Sequence, residues 1–154
     1  MQAPLEYDHE ERTRFLVEAI QHQATNAQLA QSSTPPTSHA FLLALLGLWA
    51  EFAGCTFRDG DLNFVEQVYA CDPPVLDSRL PLRLNYVKRP GGVAITLSVL
   101  DIIDSPDARD LVYAGLMEVA DALWHWAVCT GLVCGAYQRG GGIHLILGDP
   151  EAWM

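Results

Sequence analysis

The chain is 154 residues long, half of them hydrophobic and 18% charged, a composition that excludes a disordered segment and fits one folded domain. Nineteen Asp and Glu stand against nine Lys and Arg, for a net charge of −10. A chain so charged repels phosphate backbones and anionic membrane surfaces and attracts basic proteins, so a basic protein partner is expected, with no direct nucleic-acid or membrane partner.

The first element expected is a helix from Leu5 to about Ala30, with Phe15, Leu16, Ala19, Ile20 and Gln23 on its inner stripe and Glu10, Glu11, Arg14 and Glu18 opposite. The SerSerThrProPro run at 32–36 breaks it. Thr37 or Ser38 then caps a second helix to about Ala53, apolar nearly all round, which calls for a central position or a covering subunit. Gly54 is a fitting stop.

Phe57 to Leu62 contains a turn, and Asn63 to Ala70 is read as a strand on its Val, Phe and Tyr content, although its spacing also suits a helix. A hairpin follows, with strands at 82–88 and 93–100 around ArgProGlyGly. The alternation turns Leu82, Leu84, Tyr86, Ile95, Leu97 and Val99 to one face. Ser105, Pro106 and Asp107 start a helix that runs to about Thr130 with Val112, Leu116, Val119, Leu123 and Ala127 inward. Gly131 ends it, and strands at about 132–138 and 142–147 close the chain. The order α-α-(β)-β-β-α-β-β predicts a single α+β domain: an antiparallel sheet of four or five strands with helices packed on one face.

The opening residues are acidic and polar, unlike a secretory leader, and the longest apolar run, Ala40 to Ala50, is too short to span a bilayer; a cytoplasmic protein is expected. Cys55, Cys71, Cys129 and Cys134 form no CxxC pair, so free, buried thiols are expected in place of zinc or disulfides.

The motifs that carry chemistry elsewhere are incomplete here. Asp59, Asp61 and Asn63 open like a calcium loop, but Phe64 and Ala70 stand where a glycine and a bidentate Glu are needed. The glycines after Arg139 precede a strand, which fits a hairpin turn better than a phosphate cradle. None of His9, His22, His39, His125 and His144 pairs at the spacing of a helical metal site. Cys129 follows His125 by one helical turn, in aromatic and aliphatic surroundings that quieten a thiol. No catalytic residue, cofactor or metal is assigned.

Four acids, Asp101, Asp104, Asp107 and Asp110, gather around the start of the last helix and make a local negative patch. Trp124 and Trp126 lie about 200° apart on that helix, so one is expected in the core and the other at a surface. These six residues, with Arg139 in the glycine-rich loop, form the expected partner-binding set. The class expected is a non-catalytic domain that masks or inhibits a basic partner, as immunity, antitoxin or anti-defence inhibitors do. The alternatives are a dimeric export or assembly chaperone and a small enzyme with an unrecognised site.

Overall fold

A computed structural model describes the backbone of residues 5–30, 37–53, 56–57, 71–72, 82–99 and 106–149, and the side chains of 11–29, 37–49, 51–52, 82–99 and 106–149. The expected strand at Asn63–Ala70, the calcium-like loop, the Ser105 cap, Asp101 and Asp104 lie outside the described residues.

Among the described residues, three helices, α1 (Leu5–Ala30), α2 (Ser38–Ala53) and α3 (Pro106–Cys129), accompany six strands: β1 (Thr56–Phe57), β2 (Cys71–Asp72), β3 (Leu82–Arg89), β4 (Gly92–Val99), β5 (Val133–Arg139) and β6 (Gly142–Gly148). The short strands β1 and β2 pair with each other. The other four form an antiparallel sheet in the order β3-β4-β6-β5. The fold is α+β, as the alternation of apolar runs predicts, and both hairpins fall within a residue or two of their expected limits.

Register explains the core. Leu82, Leu84 and Tyr86 of β3, Val93, Ile95 and Leu97 of β4, and Ile143, Leu145 and Leu147 of β6 all point to one face, and all nine are buried. Burying each Leu- or Val-sized side chain stabilises the fold by about 1.5–3 kcal/mol. Helices α2 and α3 cover this face, and α1 packs chiefly along α3. The inner stripe of α3 holds Leu116, Val119, Leu123 and Ala127, as expected, and Trp126 joins it. The Trp126 indole stacks at a tilt on Phe41 of α2, with ring centroids 4.2 Å apart.

The stripe of α1 is corrected. Leu16, Val17, Ile20 and Ala24 are buried, whereas Phe15 is 46% exposed. Leu16, Ile20 and Ala24 follow at four-residue steps and fix the inner line; Phe15 stands about 100° away from Leu16 and falls outside it. Helix α2 buries Phe41, Leu42, Leu45, Leu46 and Trp49 but leaves Leu43 half exposed, so its all-round apolarity is only partly covered by this chain.

Three local devices fix the connections. Thr37 caps α2, its Oγ1 accepting from the Ala40 N–H at 3.1 Å. The Asp149 carboxylate accepts from the Ser38 N–H, while the Asp149 N–H donates to the Gly91 carbonyl at 2.9 Å. One residue thus joins the end of β6 to the start of α2 and to the β3–β4 turn. Gly131 ends α3 with φ 83°, and the bonds Leu132 N–H to Ala127 O and Gly131 N–H to Val128 O form a Schellman cap.

Candidate functional site

Two surfaces stand out from the frame. The first is the β5 edge. Strand β5 ends the sheet order, and every residue in it is exposed except Cys134, which is half-buried. Helix α3 lies beside this strand without covering it. Between them runs a groove of 390 Å³ whose walls include Met117, Trp124, Ala136 and Tyr137. Asp121 is the charged side chain among the described residues of that lining. Along α3, Tyr113, Met117, Trp124 and Val128 are exposed by 38, 47, 39 and 54%. Helical geometry puts these four within an arc of about 60°, so they form an outward apolar stripe. Val133 and Tyr137 of β5 are equally open.

The second surface is the sheet face turned away from the helices. Register lines up Arg83, Ser98, Gly142 and Arg139 in one row across all four strands. The next outward row is Asn85, Thr96, His144 and Tyr137. His144 Nδ1 lies 3.1 Å from Thr96 Oγ1, and its ring stacks on Tyr137 at 4.8 Å and 8°. A cavity of 340 Å³ opens over the first row, and Arg109 and Tyr113 of α3 complete its wall beside Arg83, Arg139 and His144. Gly142 lines this cavity, and close packing against β4 calls for a glycine there: a Cβ would stand 2.8 Å from the Leu97 carbonyl oxygen. A second cavity of 520 Å³ continues across the same face over Ala94, Ile146 and Tyr137, sharing Thr96 and His144 with the first.

The structure divides the expected partner-binding residues. Asp107 and Asp110 are exposed on the first turns of α3, with Arg109 between them. Trp124 lines the groove, but Trp126 is 4% exposed and belongs to the core. Arg139 lines the cationic cavity, away from the groove. His125 and Cys129, one helical turn apart, meet with Nε2 3.7 Å from Sγ, on an exposed part of α3 in place of the enclosed apolar surroundings expected. Cys129 and Cys134 are free thiols but only half-buried, not enclosed as expected, because each lies at the rim where α3 and β5 leave the core; partial burial still pushes the Cys134 thiol above its ordinary pKa.

Arg83, Arg109 and Tyr113 are absent from the sequence-based set. Strand alternation marks Arg83 as outward-facing, but its alignment with Arg139 depends on β6 lying between β4 and β5, which no local pattern encodes.

No described helix is long and apolar enough to cross a membrane. The chain matches no family model, no curated protein and no solved structure.

Proposed function

We propose that this chain is a non-catalytic binding domain that masks an extended, basic segment of a protein partner, taken up along the β5 edge. The observation that carries the reading is the open groove between α3 and β5, with Met117 and Trp124 on one wall and an exposed edge strand on the other. An edge strand offers its backbone N–H and C=O groups in one row, and an added strand satisfies them while alternate side chains enter the groove. Met and Trp suit the apolar anchors of such a strand. Charge selects the partner: Asp121 lies in the groove, Glu118 is exposed on the same helix, and the whole chain carries −10. A Lys- or Arg-bearing segment is steered in and an acidic one repelled.

Capture of an extended segment favours the chaperone form of this reading over an inhibitor that covers a folded basic face. Hydrogen–deuterium exchange of the full chain tests it with an alternating Lys-Val peptide and its Glu-Val counterpart. The basic peptide is expected to slow exchange across Val133–Arg139, the acidic one to leave it unchanged, and Trp124→Ala and Asp121→Lys to weaken the protection. Equal effects of the two peptides, or none from either, would refute the reading.

A further inference from the structure

We propose a second site, on the sheet face opposite the helices, that binds a small organic oxyanion: a phosphate monoester or carboxylate attached to an apolar or aromatic body. The observation is the company of the arginines. The chain has nine Lys and Arg in all, and Arg83, Arg109 and Arg139 line one cavity of 340 Å³. No carboxylate stands among the described residues of that lining. In a chain with twice as many acids as bases, chance placement would put acids around such a cluster first.

The three guanidinium groups come from three elements. Arg83 is engaged within the fold. Arg109 and Arg139 are exposed and approach from the helix and from the edge strand. Planar guanidinium forks match the paired oxygens of a carboxylate or phosphate, and such charge-assisted bonds are the strong ones. The Ser98 and Tyr113 hydroxyls and the His144 ring add further polar groups around the same space.

The ligand's body is set by what adjoins the cavity. The stacked Tyr137–His144 pair and the apolar surface of Ala94 and Ile146 continue from it without a break. A cavity of this volume sits at the lower end of small-molecule sites, about 300–1,000 Å³. Polyanions are disfavoured, because each phosphate beyond the pocket meets the field of a chain at −10. A single anion inside it is governed by its near neighbours, since charges beyond about 8 Å are screened at physiological salt.

The test is an amide chemical-shift titration of the full chain with phenyl phosphate, benzoate and inorganic phosphate, repeated on Arg109→Gln, Arg139→Gln and, as a control, the exposed Arg14→Gln. Saturable shifts are expected at Gly141, Gly142 and His144, with at least tenfold weaker binding in the first two variants and unchanged binding in the third. Tighter phenyl phosphate identifies the ligand class as phosphate monoesters; tighter benzoate identifies it as carboxylates. Inorganic phosphate binding as well as phenyl phosphate would overturn the role given to Tyr137 and His144. No saturation by any probe at millimolar concentration, or wild-type affinity in normally melting Arg109→Gln and Arg139→Gln, would overturn the site. Asp101→Asn with Asp104→Asn, acids that follow β4 in the chain, is expected to tighten binding or leave it alone; loss of binding on that change would overturn the assignment to an anion.

Discussion

Replacing Gly115 by alanine tests how closely α1 and α3 approach. A Cβ at this position would lie 2.8 Å from Thr13 Cγ2. Thr13 is 7% exposed, and as a β-branched residue it has a stiff χ1, so the methyl does not swing aside cheaply. Two effects oppose each other. Alanine is favoured over glycine inside a helix by about 1 kcal/mol. Overpacking a filled interface costs about 1–3 kcal/mol. The clash prevails, and Gly115→Ala is expected to lose about 1 kcal/mol. Thr13→Ser removes the obstructing methyl at a cost of about 0.8 kcal/mol for one buried carbon. In the double variant the overpacking is gone and the helix-propensity gain remains, so it should be more stable than the sum of the two single changes by about 1–3 kcal/mol. For a domain of this size 1 kcal/mol moves Tm by about 2–4 °C. Urea and thermal melts of the four proteins decide the matter. Additivity within about 0.5 kcal/mol, or a Gly115→Ala protein more stable than the parent, would refute close packing at this point.

Asp149→Ala is expected to cost about 1.5–3 kcal/mol, the range for a hydrogen bond to a charged group, read in the same melts; Asp149→Asn should recover part of it. Trp126→Ala should lose about 3–5 kcal/mol as a large buried aromatic, whereas Trp124→Ala, exposed beside the groove, should stay within about 0.5 kcal/mol of the parent. Alkylation followed by peptide mapping at mildly alkaline pH should label Cys129 before Cys134. Burial raises the Cys134 pKa and so withholds its reactive thiolate. The same sign makes the fold's preference for the protonated Cys134 thiol complete at neutral pH. That contribution is lost as pH rises through the folded-state value.

The elements were legible because each rests on a local pattern. Strict alternation in 82–88 and 93–100 and the 116/119/123/127 spacing in α3 hold whatever lies around them. The stripe even decides between the two tryptophans, since Trp126 follows Leu123 by three residues and Trp124 by only one. Phe15 was misjudged because residue type was weighed above angular position. The groove and the cationic cavity were illegible for a different reason. Arg83, Arg109 and Arg139 are each an ordinary surface basic residue within its own segment. Only the strand order β3-β4-β6-β5 gathers them, and strand order is a non-local choice settled by the packing of the whole sheet. The acids at 101–110 were conspicuous because they are neighbours in sequence, which says nothing of what they face.

That strand order also sets a timetable. Strand β6 sits at the middle of the sheet, yet among the described strands it comes last in sequence, and β4 must wait for it while α3 and β5 are made. At about 5–20 residues per second of synthesis, the inner edge of β4 stands open on the ribosome for a few seconds. During that interval an apolar hairpin carrying Ile95 and Leu97 offers its unfilled side to any neighbouring chain. The nascent protein is therefore most prone to aggregate just before the β5–β6 hairpin emerges, and truncations that stop after α3 should aggregate more than the full chain does.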